Sequence, residues 1–327
     1  MATGPEAGGD ALAAGPSTRS AGHAGWIARR LAVSVVVLVG VSILVFVATQ
    51  ALPSDPAVQI LGRSAAPEQL DALREQLGLD RPLVEQYLAW AGDLLRGSLG
   101  DSLATREPVA AHVGDRAVNT LALVLLSAVI AIPLALLIGT LTAVRRDRPA
   151  DHATQLVLLV ITAIPEFVIG LLLLILLSTT VLPWLPAVAI IPPGESAFSH
   201  PKELVLPVLT LVLTVVPYLA RLHRAAMVDV LGSEYVQMAR LKGLPERLVI
   251  RRHALRNALF PAVQGAALTL VYLTGGIVTI EYLFAYPGLG SALASAVQSR
   301  DLPVVQGIVL LFAAAYVVFN LAADVLT

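Results

Sequence analysis

The 327-residue chain has no cysteine, which excludes disulfides, thiolate metal sites and cysteine nucleophiles. Charge is scarce as well. Only 14% of residues are Asp, Glu, Lys or Arg, against about a quarter in a soluble domain. No GxxxxGK[ST], HExxH or GxSxG occurs, so neither a phosphate cradle for ATP nor those hydrolase centres are expected. The six histidines are scattered without metal-ligand spacing, which argues against a metal site. Nothing suggests an enzyme, a resident cofactor or a nucleic-acid partner.

What the chain does have is apolar length. Hydrophobic residues make up 57% and the mean hydropathy is +0.79, the composition of a multi-span membrane protein. A spanning helix needs about 20 mostly apolar residues. Six segments qualify: 30–52, 118–143, 153–182, 204–223, 260–282 and 304–326. The expected fold class is therefore an all-α membrane protein of six transmembrane helices. Residues 1–25 are Gly/Ala/Ser/Pro-rich without an apolar run and read as a disordered tail, not a signal peptide. That leaves 26–327 as the membrane unit.

Orientation follows from the basic residues. Arg29 and Arg30 precede span one, and Arg145, Arg146 and Arg148 fill the turn between spans two and three. The 224–260 loop and its flank carry Arg221, Arg224, Arg240, Lys242, Arg247, Arg251, Arg252 and Arg256. By contrast, 183–203 holds one lysine and 283–303 one arginine. All basic regions share one side if both termini are cytoplasmic. Residues 53–117, with six basic and ten acidic groups, then lie outside. There "APEQLDALREQLG" reads as a helix with Leu70, Leu73 and Leu77 on one face and Gly78 as its stop. "DRPLVEQYLAWAGDLLRG" repeats the pattern with Leu83, Tyr87, Trp90 and Leu94. Together they make a small helical cap, either shielding the span ends or docking a partner.

Ionisable groups in apolar runs are expensive and tend to be functional. Glu166 follows Pro165 near the middle of span three, where the proline frees a carbonyl and permits a kink. A pathway or gating role and a satisfied structural carboxylate are the two readings. Glu281 closes span five and suits a cap or loop anchor, and Asp324 sits solvated at the inner end of span six. Gly275 and Gly276 permit close packing or flexing. "YPGLGSAL" lacks the third glycine of a dinucleotide fingerprint and reads as a turn.

The basic loop is ordered. A short helix begins after Ser233 as N-cap and stops at Gly243, with Glu234 in its first turn and Arg240 and Lys242 in its last, as the helix dipole favours. A second helix starts near Pro245 and runs through "ERLVIRRHALRNALF" to the membrane. Such an elbow can enter a groove on another protein. Here the sequence resembles the permease subunits of dipeptide/oligopeptide/nickel-type ABC importers. "YVQMARLKGL" is similar to that branch's coupling segment at Tyr235, Val236, Ala239, Arg240, Lys242, Gly243 and Leu244. Of the more general Glu-Ala-Ala…Gly pattern only Ala239 and Gly243 match. "LGLDRPLVEQYLAW", "GSLGDS", "RHALRNAL-P", "GGIVTIEYLFAYPGLG" and "RDLPVVQGIVLL" extend the likeness across nearly everything from span one onward. The chain departs from the pattern in its longer tail and in stopping at Thr327 without a further polar stretch.

The resemblance implies the type I importer permease fold in a bacterial inner membrane. It also implies a second homologous permease, two ATP-binding subunits that hold ATP and magnesium, and an extracytoplasmic substrate-binding protein. Peptide is the expected cargo, with nickel chelates or another small solute as alternatives. An ATP-independent secondary transporter and a scaffold subunit are the rival classes. Neither needs an ordered docking elbow.

Overall fold

The computed structural model describes residues 19–51, 56–62, 65–76, 78–179, 182–192 and 194–326. Most of the expected tail, Leu77 and Thr327 lie outside the described residues. Among the described residues thirteen α-helices follow in order. They are α1 (Arg19–Gln50), α2 (Pro56–Leu61), α3 (Pro67–Gln76), α4 (Leu83–Leu95), α5 (Val109–Val144), α6 (Pro149–Ala163) and α7 (Glu166–Leu174). Then come α8 (Pro201–Leu231), α9 (Glu234–Leu241), α10 (Glu246–Leu248), α11 (Leu255–Leu283), α12 (Leu289–Ser299) and α13 (Leu302–Leu326). No strand occurs among the described residues; Asp101 and Pro108 form an isolated bridge. Helices α1, α5, α8 and α13 are each long and apolar enough to cross a membrane. A fifth crossing arises if α6 and α7 are one broken span.

The core is built on α8, which packs against α5 and α11. Leu123, Ala131 and Ala135 from α5 meet Leu206, Leu211 and Leu219 from α8 and Leu273, Ile277 and Ile280 from α11. The approach is close because the partners are small. A Cβ on Gly139 would lie 2.7 Å from the Ala220 carbonyl oxygen, so nothing larger than glycine fits there. At one end, Arg224 of α8 donates two hydrogen bonds, of 2.9 and 2.5 Å, to the buried Asp151 of α6. Helix α1 lies at the edge, against α13. It is held by Gln306 Nε2 donating to Thr49 Oγ1 at 2.7 Å and by an Arg30–Asp324 ion pair at 2.9 Å. Asp324 is thus paired, not merely solvated.

Four expectations need correction. Span three is not one straight helix: α6 and α7 meet at a 100° bend. Pro165 cannot donate to a helical ladder and stands as the N-cap of α7. Second, α5 begins at Val109, inside the segment assigned to the cap, because "VAAHVGDRAVN" carries no proline once Pro108 is passed and Gly114 is tolerated within the helix. Third, α8 continues to Leu231, so the basic loop opens as an extension of a core helix. Fourth, the 283–303 loop contains α12, whose Leu289, Ala292 and Ala296 are buried at helical spacing.

In the cap segment, α3 ends as expected at Gly78, which takes φ +65°. Helix α4 is not a free-standing cap. Its Tyr87 and Trp90 rings pack on Phe46 of α1 with centroids 5.5 and 5.6 Å away, and the Tyr87 hydroxyl pairs with Ser42 at 2.9 Å.

Candidate functional site

The elbow at 233–254 is closed by backbone hydrogen bonds, apolar contacts and an ion pair. The Leu244 N–H donates to the Ala239 carbonyl at 3.3 Å and the Gly243 N–H to that of Arg240 at 2.9 Å. With Gly243 at φ +73°, this is the paired C-terminal capping pattern that left-handed glycine permits. Leu244 then folds back on the buried Val236, Ala239 and Val249. Across the turn Arg240 grips both Glu246 oxygens, at 2.7 and 3.2 Å. That grip holds the Glu246 carboxyl below its usual range and Arg240 above its own. The Tyr235 hydroxyl accepts from Asn257 Nδ2 at 2.8 Å, tying α9 to the start of α11.

The motif residues therefore divide. Val236, Ala239 and Leu244 face inward, Gly243 makes the turn, and Tyr235 and Arg240 lock it. Lys242 points outward beside Met238 and Leu241, which are 58% and 82% exposed. Met238 and Leu241 escaped the sequence reading; their i, i+3 spacing with Tyr235 was the available signal. Ser233 has the N-cap backbone conformation, but its hydroxyl donates to the Val230 carbonyl at 2.5 Å instead of capping α9. Beyond Pro245, α10 passes through a π-helical stretch at Val249–Ala254 into α11.

At the far end of α11, Glu281 is fully buried and its carboxylate is fully engaged. Thr120 Oγ1 of α5 and the Gly290 N–H each donate to it at 2.6 Å, and the Ser291 N–H at 3.3 Å. Glu281 thus caps the N-terminus of α12 and binds it to α5, the anchor role expected of it. A side chain at Gly288 would strike this carboxylate, and one at Gly290 would strike the Val278 backbone. Those contacts account for the "YPGLG" glycines. Nearby, Asp301 accepts from Ser102 Oγ at 2.5 Å and from the Leu103 and Ala104 N–H groups at 3.1 and 3.3 Å. The "GSLGDS" and "RDLP" motifs meet there.

The structure brings together Pro165, Glu166 and Gly276 at the α6–α7 break. A Cβ on Gly276 would lie 2.5 Å from Glu166 Oε2, whereas Gly275 faces open space. Glu166 borders two cavities, of about 590 and 890 Å3. Among the described residues it has no hydrogen-bond or ionic partner. No group of three or more His, Asp or Glu able to hold a metal is found among the described residues.

Long apolar helices, a helix break bordered by cavities and a basic elbow thus lie in one chain. The chain belongs to the family of binding-protein-dependent transport system inner membrane components, which matches residues 131–327; the family's N-terminal component matches residues 24–124. It is similar to putative peptide transport system permease proteins of Brucella abortus strain 2308 and Brucella suis biovar 1. Each is 37% identical over 300 residues, covering 92% of this chain and 95% of the relative. The glutathione transport system permease protein GsiC of Escherichia coli K12 is also 37% identical, over 301 residues with the same coverage. The chain is a permease of the ABC-importer type, and the type I permease fold is the fold of its family.

Proposed function

We propose that this chain forms half of the translocation path of an ATP-driven peptide importer in a bacterial inner membrane. A second homologous permease supplies the other half. Two ATP-binding subunits dock below, holding ATP and magnesium, and an extracytoplasmic binding protein delivers the solute. The observation that carries this reading is the α9–Gly243–α10 elbow. It is locked internally by Val236, Ala239, Arg240 and Leu244, yet presents Met238, Leu241 and Lys242 outward. A closed joint with an exposed apolar stripe suits insertion into a groove on an ATPase. Closure of the ATPases then switches the bundle between inward- and outward-facing states, with ATP binding and path opening linked by a shared coupling free energy.

Six crossings are proposed: α1, α5, the bent α6–α7 pair, α8, α11 and α13. Both termini are cytoplasmic. The Arg30–Asp324 pair, which joins the start of the first crossing to the end of the last, supports an even number. Pro165, Glu166, Gly275 and Gly276 line the path. Peptide is the proposed cargo because the relatives named for a cargo carry peptides or glutathione. Nickel chelates or another small solute compete with it.

Mild-detergent purification of the chain from its own membrane, with ATPase assay, tests the reading. Co-purification of a second permease and two ATPases is expected, with ATPase stimulated by the binding protein. Replacing Gly243 with Trp should leave insertion intact and abolish that stimulation, because a Trp side chain is strained at positive φ. An ATPase-free chain that still drives uptake would favour a secondary transporter, for which the broken α6–α7 span is the one suggestive feature.

A further inference from the structure

We propose that Glu166 is a docking point for a protonated amine of the solute, set in the path between the two cavities at the α6–α7 break. The proposal rests on the importer reading for what carries the amine. The site itself is argued from its geometry.

Glu166 lines both cavities. The first is bounded by α6, α7, α8 and α11 through residues such as Thr162, Thr214, Tyr218 and Thr269. The second is bounded by α1, α11 and α13 through Val37, Gly276, Phe312 and Tyr316. At about 590 and 890 Å3, both fall in the size range of small-molecule sites, roughly 300–1,000 Å3. A carboxylate among apolar helices needs a partner, and elsewhere the fold supplies one. Here it supplies space. Gly276 stands where any side chain would press on the carboxylate.

The remaining polar groups have one character. Thr162 donates its hydroxyl hydrogen to the Leu158 carbonyl at 2.8 Å, Thr214 to Thr210 at 2.9 Å, and Thr269 to Gly265 at 2.8 Å. Each hydroxyl hydrogen is consumed by its own helix, so toward the cavity these oxygens can only accept. Among the described residues no Lys, Arg or His lines either cavity. Apart from the Tyr218 and Tyr316 phenols and the first N–H groups of α7, the described lining side chains offer acceptors, and Tyr218, Phe312 and Tyr316 add aromatic rings to the two cavities. Among the described residues an anion finds no cationic side chain there; the donors that remain beside the phenols are the first N–H groups of α7. A primary ammonium finds a counter-charge, acceptors and π-faces. The solute class is therefore one bearing a free amine, such as an unblocked peptide.

The natural absence of cysteine makes the test direct. Thr214→Cys is introduced into the purified complex and labelled with permanently charged trimethylammonioethyl or sulfonatoethyl methanethiosulfonate. Rates are read by mass spectrometry of this chain and normalised to those on a free thiol. The expected result is a preference of about tenfold for the cation, as focused fields produce. It should collapse when Glu166→Gln is added. In proteoliposomes with ATP inside and unaltered binding protein, Glu166→Gln should cut uptake of trialanine about tenfold while Glu166→Asp retains most of it. Equal labelling by the two reagents, or no labelling, overturns the proposal. So does a cation preference accompanied by undiminished uptake in Glu166→Gln. If the wild-type complex shows no ATPase and moves no peptide, the importer reading fails instead, and the labelling ratio still decides whether the site attracts cations.

Discussion

Glu281 and Glu166 are both carboxylates set among apolar helices, and both lie against glycines. Around Glu281 the glycines let backbone N–H groups and Thr120 close in until every lone pair of consequence is met. Around Glu166 the glycine lets the carboxylate lie against α11, and among the described residues no side-chain donor bonds to it. The same residue type is thus a rivet in one place and an open terminal in the other. What separates them is the geometry of their neighbours, since both cost the fold desolvation.

Thermal unfolding in detergent can break this comparison. The largest effect is expected from Glu281→Ala. It orphans three donors in a dry site and should cost roughly 4 kcal/mol; a loss below about 1 kcal/mol would show that the site is wet or adaptable. Asp151→Asn follows, at about 2 kcal/mol, because it leaves Arg224 only partly exposed without its counter-charge. Glu246→Gln should cost less than about 1 kcal/mol, since both partners of the Arg240 pair are well exposed. The pH dependence of that pair has a definite sign. Glu246 has its carboxyl depressed in the folded state. Its contribution is therefore present above the unfolded carboxyl range near about 4.3 and fades as pH falls through the lower, folded value. The smallest effect is reserved for Glu166→Gln, which should unfold at the same temperature as wild type or slightly higher. A destabilised Glu166→Gln would mean that this carboxylate is structural after all.

How much of this was legible in the sequence follows from distance along the chain. The apolar runs announced the long helices, and Gly243 and Pro245 bounded the elbow because turn chemistry is local, whereas Ser233 marks the start of α9 without capping it through its side chain. Pro165 announced the break but not its angle. Glu281 could be read as an anchor, yet its partner Thr120 is 161 positions away, and Asp301 meets Ser102 across 199. No local rule reaches that far. Helix α12 was hidden by its own small residues. "LGSALASAVQS" looks like a tail to the preceding turn until Glu281 supplies its N-terminal cap. The open position of Glu166 depended on Gly276, 110 positions later, and only the packing of α7 on α11 reveals it.

The doubly closed turn at Gly243 has a mechanical consequence. A joint whose backbone is capped, whose leucine is tucked in and whose outer edge is strapped by Arg240 and Glu246 has no slack. Under the proposed coupling, a displacement applied at Met238 and Leu241 would be delivered toward α11 as from a stiff bracket, with little lost in the bend. Compliance must then be found elsewhere along the same line of force. Among the described residues, one sharp discontinuity that α11 abuts is the α6–α7 break, where Glu166 stands.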